Sequence, residues 1–402
     1  MPKPSFIYLD NAATSWPKPP AVADAMARFL AESAGNAGRG GHSLARAASA
    51  VIDKARAAIA KLINAERPER VVLTHGCTDS INLALHGWIT ACRHKSGGAK
   101  SHVVFSSVEH NAVGRTIHLL ELEGAIDSTT VKCDSEGFVP AEAVLAACNE
   151  RTVLVCLSNA SNACGTIQPV GDVGRGLRAR SPDALFMVDG AQTVGHINVD
   201  VQRDCIDLLT IAGHKGLLGP TGTGAIYVGP RAFSDDCNGG GARLHCMRSG
   251  GTGARVPGLD MPTELPDALE AGTANGVGFA GLLAAIEHRP HGASEHETAR
   301  IRELIDGLRS IPGIRIHGRQ TADGRTPVVM FNLEGFAPRD LGGLLDGEFD
   351  IAVRAGLHCA PLLHQSLGTA PDGAVRVSPG FATKPEEVAR FLDAMSRIAR
   401  AR

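Results

Sequence analysis

Lysine is scarce in this 402-residue chain, with 9 Lys against 31 Arg, and aromatic residues make up only 4%. No excess of either charge is present: 42 Asp+Glu face 40 Lys+Arg, and the sequence pI is about 6.8. That balance leaves no electrostatic footprint for nucleic acid. No apolar run reaches the roughly 18 residues needed to span a bilayer. The opening MPKPSFIYLDNAATSWPKPP has neither a signal-peptide apolar stretch nor an Arg/Ser-rich transit character, so a cytoplasmic protein without a membrane partner is expected. None of the ten cysteines forms a CxxC pair, which excludes a zinc knuckle, and ten thiols scattered over this length do not make a small disulfide framework. No GxxxxGK[ST] is present and no GxGxxG opens a helix after a strand, so nucleotide binding has no motif behind it.

What is present is the composition of a globular enzyme-sized chain, 44% hydrophobic and 20% charged. Short apolar runs at 71–75, 103–107, 153–158, 185–189, 208–213 and 224–229 read as buried strands. Helical patterns lie between them, clearest at 79–93, with Thr78 as its expected N-cap, and two more open the chain at about 20–33 and 43–64. Alternating β and α segments imply a mostly parallel sheet covered on both faces. Beyond a loop-like stretch at 239–258 and a helix near 276–288, a second α/β segment has strands near 327–333 and 374–378. The expected division is an N-terminal arm at 1–17, a large α/β domain at 18–275 and a smaller α/β domain at 276–402, with a cleft between domains as the ligand site.

Open α/β sheets bind ligands beyond the carboxyl ends of their strands. The polar residues there are Thr78, Glu109-His110, Asn162, Asp189 and His214-Lys215. Lys215 follows the run LLTIAG, whereas the other lysines lie in polar stretches; a lysine there either snorkels to solvent or, if desolvated, becomes a nucleophile for Schiff-base chemistry. Asp189 after LFMV either caps a helix or supplies the carboxylate that a pyridoxal phosphate ring nitrogen requires. The HGCTDS turn before the 79–93 helix offers backbone amides and hydroxyls to a phosphate.

An ordered set of motifs then runs nearly end to end: YLDNAAT (8–14), NAGRGGHSLA (36–45), GCTDSINL (76–83), SSVEHNA (106–112), SNACGTIQP (161–169), VDGAQTVGH (188–196), GHKGLLGPTGTG (213–224), LEAGTAN (269–275), VRAGLHCAP (353–361) and VRVSPG (375–380). On these the chain resembles the cysteine desulfurase/selenocysteine lyase family of the class V aminotransferase superfamily, whose members are fold type I pyridoxal phosphate (PLP) enzymes. The resemblance implies that Lys215 carries PLP on its amine and moves the Cα proton. It also implies that Asp189 pairs with the ring nitrogen, Gln192 reaches the ring hydroxyl and His110 stacks on the ring. Thr78, His214 and the backbone near Cys77 would bind the phosphate, with Asn162 beside the ring. Thr273 would reach the phosphate from a second subunit, implying a homodimer. Arg376 would clamp the substrate carboxylate, with Arg354 and His42 supporting. Cys359, beside His358 and Arg354, would take sulfur from L-cysteine as a persulfide and release alanine; a buried structural cysteine is its bland alternative.

Two positions depart from the family pattern. Ala212 stands where many relatives have Ser or Thr before GHK, removing a phosphate ligand worth about 0.5–1.5 kcal/mol. Leu357 stands where selenocysteine-lyase-like relatives have His. Cys359 and Arg376 are separated by 17 positions, so the cysteine sits on a short loop, which points to a sulfur-acceptor protein as partner. His288, His291 and His296 have metal-like spacing but fall in a Pro-broken stretch expected to be a solvated loop, so no metal site is expected. Three activities remain open at this stage: a desulfurase acting on L-cysteine or L-selenocysteine, another class V enzyme (epimerase, lyase or transaminase) without persulfide chemistry, and a degenerate sulfur-carrier scaffold.

Overall fold

The computed structural model describes residues 6–38, 40–234, 243–253 and 258–401. Cys237 and parts of the loop at 239–258 lie outside the described residues. A short strand β1 (Ile7–Tyr8) and helices α1 (Pro20–Glu32) and α2 (Ser43–Leu62) lead into a βα alternation. It comprises β2 (Val71–Thr74), α3 (Cys77–Lys95), β3 (Ser101–Ser106), α4 (Asn111–Leu122), β4 (Ile126–Val131), α5 (Ala141–Ala146), β5 (Thr152–Ser158), α6 (Val170–Arg180), β6 (Leu185–Asp189), β7 (Leu208–Ala212) and β8 (Gly224–Val228). These strands form one seven-stranded sheet in the order β2-β8-β7-β6-β5-β3-β4.

The apolar runs lack polar alternation because both faces of the sheet are covered. Along β5, Val155 and Leu157 pack into one core, while Leu154 and Cys156 pack into another on the opposite face. The sheet is parallel except at β8, which runs antiparallel to both β7 and β2. Only residues 213–223 connect β7 to β8; a parallel return takes a dozen residues or more, so this segment reverses direction instead and carries Lys215 across the sheet's end.

Helix α3 begins two residues earlier than the sequence pattern suggests. Its N-cap is Gly76, at a φ of 154°, and Thr78 lies inside the first turn rather than capping it. The Asp79 carboxylate accepts from the His75 amide instead, which closes the turn before the helix.

Helices α7 (Gly276–Glu287) and α8 (Ala293–Arg309) precede a four-stranded antiparallel sheet, order β12-β13-β10-β9. Its strands are β9 (Ile314–His317), β10 (Val329–Leu333), β12 (Arg354–Gly356) and β13 (Ala374–Val377); helices α9 (Pro338–Phe349), α10 (Pro361–Ser366) and α11 (Pro385–Arg400) complete the segment. The two-residue β11 (Ile351–Ala352) pairs in parallel with β1, and Asp10 bridges to Ser378, so the first described residues are built into the second sheet's surroundings. A separate apolar core, including Leu304, Phe331 and Phe391, holds this unit together. His296 is not in a solvated loop: it sits in α8, where its Nε2 meets the Thr383 carbonyl at 2.6 Å. Among the described residues no helix is long and apolar enough to cross a membrane, and no group of three or more His, Cys, Asp or Glu gathers as metal ligands would.

Candidate active site

A cavity of about 480 Å³ opens where the parallel strands end. Its wall takes Asp189 from the last position of β6, Lys215 from the β7–β8 connection, His110 from the N-cap of α4, and Gly76, Cys77 and Thr78 from the start of α3. Arg354 and Arg376 reach it from β12 and β13 of the second sheet, while Asn162 and Gln192 come from the segments after β5 and β6. Thus the residues after five separate strands meet in one place, as the topology of an open α/β sheet dictates.

Asp189 is held in a defined orientation. Its Oδ1 accepts from the Ala191 amide at 2.9 Å, the Cys77 thiol at 3.2 Å and the Thr210 hydroxyl at 3.5 Å. Among the described residues none donates to Oδ2. Burial, and next the Asp189 charge, push the Cys77 thiol well up, so it stays a neutral donor. Cys77 therefore contributes its side chain to the Asp189 carboxylate, whereas the sequence reading expected only its backbone to take part. Sequence reasoning overlooked this role because a cysteine at a helix start reads as filler.

Burial lowers the Lys215 amine from its ordinary value, with Arg376 and Arg354 adding to the effect and Asp189 and Cys77 opposing it. A larger neutral fraction is what a lysine nucleophile or proton carrier needs. His110 accepts the Ala112 amide on Nδ1 at 3.0 Å, which caps α4 and fixes the ring. Its pKa is lowered, chiefly by burial, so the ring is neutral with its proton on Nε2. His214 falls to about 4, first through burial and then through Lys215 and Lys18. The carbonyl of His214 is gripped by the arm: the Ser15 amide donates at 3.0 Å and the Lys18 ammonium at 2.9 Å.

Beneath His110, the Glu109 carboxyl is 2% exposed and accepts from Ser106 Oγ at 2.5 Å, the Ser158 amide at 2.8 Å and Ser158 Oγ at 2.7 Å. It stitches the end of β3 to the end of β5, and burial pushes it up to about 7 against those donors.

Arg376 has no exposed surface. One Nη binds Asp10 Oδ1 at 2.5 Å and the other the Asn162 carbonyl at 2.9 Å, which leaves Nε buried without a partner. The Asp10–Arg376 pair spans 366 residues and went unseen in the sequence. Gln192 donates to the Ala12 carbonyl at 3.0 Å.

Cys359 does not form the cavity wall but stands behind Arg354, whose Nη2 lies 3.4 Å from its Sγ. Both His358 and Cys359 adopt left-handed backbone, φ 50° and 58°. The turn is anchored by the Asn111 amide on the Cys359 carbonyl, 2.7 Å, and by Asn162 Nδ2 on the His358 carbonyl, 2.5 Å. Thr273 and His42 stand apart from the cavity within this chain. Thr273 is exposed beside a second cavity of about 260 Å³, and His42 is exposed as the N-cap of α2, its Nδ1 accepting from Ala45.

Polar atoms left over at the wall define what the cavity can hold. His214 Nδ1 and Asn162 Oδ1 are buried without partners, and the described donors to Asp189 all fall on Oδ1, leaving Oδ2 open. The first turn of α3 presents backbone amides that a helix cannot satisfy internally. A ligand with a protonated ring nitrogen at one end and an anionic group at the other matches this set, and so do the residues of PLP chemistry. Ala212 lines the same wall and brings no hydroxyl.

The family model for class V aminotransferases matches residues 7–391. A protein of Methanothermobacter thermautotrophicus named "Probable cysteine desulfurase" is 34% identical over 98% of this chain and 94% of its own length. The cysteine desulfurase of Salmonella agona is 32% identical over 98% of this chain and 93% of its own. The solved apo structure of a cysteine desulfurase from Thermococcus onnurineus superposes with a TM-score of 0.88 at 28% identity, covering 99% of this chain and 95% of the other.

Proposed function

The chain belongs to the class V aminotransferase family, and on that footing we propose that it is a PLP-dependent cysteine desulfurase. It converts L-cysteine to L-alanine and keeps the sulfur on Cys359 as a persulfide. The observation that carries this reading is the convergence of Lys215, Asp189 and His110 on one cavity whose wall residue Arg354 touches Cys359.

PLP, when bound, supplies the electron sink that makes bonds around the substrate's α-carbon labile. Lys215, desolvated and short of proton, holds the cofactor and then carries the Cα proton. Asp189 offers Oδ2 to the ring nitrogen while its Oδ1 is spent on three protein donors. The α3 amides, Thr78 and His214 take the phosphate. Arg376, with Arg354, takes the substrate carboxylate, where a planar fork suits two oxygens. Cys359 Sγ, as thiolate beside Arg354, attacks the substrate sulfur: the S–S bond forms, the Cβ–S bond breaks, and Cβ gains a proton to become the methyl of alanine. The persulfide leaves when a thiol reductant or a sulfur-acceptor protein collects it. Thr273 and His42, which stand away from the cavity in their own chain, serve the site of a second copy in a homodimer.

The test is alanine release from L-cysteine with a thiol reductant present, beside Cys359→Ala and repeated with L-selenocysteine. Wild-type activity on cysteine that vanishes in the variant supports the proposal. Turnover of selenocysteine alone, by both proteins, would make the chain a selenocysteine lyase. Cofactor-loaded protein that yields alanine from neither substrate refutes the desulfurase reading.

A further inference from the structure

Behind Cys359 lies a chain of hydrogen bonds that the reaction scheme does not use. His358 Nε2 meets the Arg354 carbonyl at 3.2 Å, His358 Nδ1 meets His364 Nε2 at 3.2 Å, and His364 Nδ1 meets the Thr369 hydroxyl at 2.7 Å. His358 is 2% exposed and His364 fully buried, and their rings stack with centroids 5.4 Å apart. Burial drives both rings below the ordinary imidazole range, His364 to about 4, so both are neutral at pH 7.

The proton positions then follow one from another. A carbonyl only accepts, so His358 carries its proton on Nε2 and accepts on Nδ1. His364 must donate from Nε2, which leaves its Nδ1 an acceptor, and Thr369 must donate to it. The Thr369 hydroxyl has a poorer alternative in the His364 carbonyl at 3.4 Å, but only the ring needs its proton. Thr369 is itself held by backbone bonds, its amide to the His364 carbonyl and its carbonyl from the Gly373 amide.

This one-directional chain closes a ring of contacts around the cysteine. Arg354 is gripped by its carbonyl at His358 and by its guanidinium at Cys359 Sγ, 3.4 Å away. Two successive non-glycine residues with φ near +55° are each unfavourable, and they persist only where surrounding contacts over-determine them. We propose that His364 and Thr369 are positioning residues for Cys359: through His358 they hold the left-handed turn that keeps the sulfur against Arg354. The proposal rests on the desulfurase reading for its kinetic consequence but not for its geometry.

The experiment uses the full-length, cofactor-loaded protein with Thr369→Val, Thr369→Ser and His364→Ala. Alanine formation is measured against cysteine concentration, and alkylation of Cys359 by iodoacetamide is followed at pH 7 in the tryptic peptide 355–376. Loss of one or two buried hydrogen bonds should lower kcat by about 5- to 30-fold in Thr369→Val with KM for cysteine unchanged. Alkylation should slow by a similar factor, because a sulfur that leaves Arg354 loses the contact that fixes its orientation. Thr369→Ser, which keeps the hydroxyl, should recover most of the loss. Unchanged or faster alkylation in Thr369→Val, or a rise in KM at constant kcat, overturns the proposal. If His364→Ala does not fold, the two Thr369 variants decide. If wild-type protein makes no alanine, the desulfurase reading fails, while the alkylation ratio still tests the positioning.

Discussion

Replacing Glu109 with Gln should raise thermal stability relative to wild type progressively as pH climbs from about 5 to about 8. The wild-type carboxyl is 2% exposed, and burial pushes it up to about 7, with three hydrogen-bond donors pulling it down and Asp189 adding a smaller upward push. In the unfolded chain the same group titrates near 4.3. The folded state therefore keeps a proton that the unfolded state gives up. The stability this represents is fully present below about pH 4.3 and is lost as pH rises through about 7. At about 1.4 kcal/mol per tenfold change in proton affinity, the full interval is worth about 4 kcal/mol, of which about 3 kcal/mol is lost between pH 5 and pH 8. Glutamine has no proton to lose, and any cost of re-pairing its amide with Ser158 is constant with pH and cancels in the comparison. With an unfolding entropy of about 2.1 cal/mol/K per residue, 402 residues convert about 3 kcal/mol into about 4 °C. Differential scanning fluorimetry of both proteins across a buffer series at constant ionic strength measures this. A difference in Tm that stays flat within about 1 °C from pH 5 to pH 8 would show that the serine donors outweigh burial and that the group is ionised throughout, refuting the reasoning.

Three other perturbations bear on the site. Asp10→Asn leaves the fully buried Arg376 without its carboxylate and should cost about 2–4 kcal/mol, read as a lower urea midpoint; a midpoint unchanged within error would mean that the guanidinium needs no counter-charge. Ala212→Ser puts a hydroxyl on the cavity wall and should tighten PLP binding about 2- to 10-fold by spectrophotometric titration, whereas an unchanged Kd would place that wall out of the phosphate's reach. Cys77→Ala removes one of three donors to Asp189 Oδ1 and should weaken PLP binding by a similar 2- to 10-fold, with Cys77→Ser keeping wild-type affinity; equal loss in both would point to packing instead.

The sheet was legible because a strand buried on both faces writes an unbroken apolar run, and the site was legible because such strands deliver their ligands at one end. Lys215, Asp189, His110 and Asn162 all stand just past such runs, and the structure brings them to one cavity. The less legible parts are those that carry no local period. Asp10 and Arg376 meet across 366 positions, and nothing near either announces the other. The α3 cap moved from Thr78 to Gly76 because Asp79 satisfies the His75 amide, a competition among neighbours that residue preference alone does not resolve. His296 looked like a loop residue from its prolines and glycine, yet the helix starts at Ala293 and the ring pairs with a carbonyl 87 residues away. The histidine chain behind Cys359 lies between these extremes. Its members are close in sequence, but its direction depends on burial keeping both rings neutral and on a carbonyl at one end that can only accept. A sequence states which side chains are available to pair; which of them are dry enough to need pairing is decided by the fold, and the buried His358 and His364 rings behind Cys359 are a case of it.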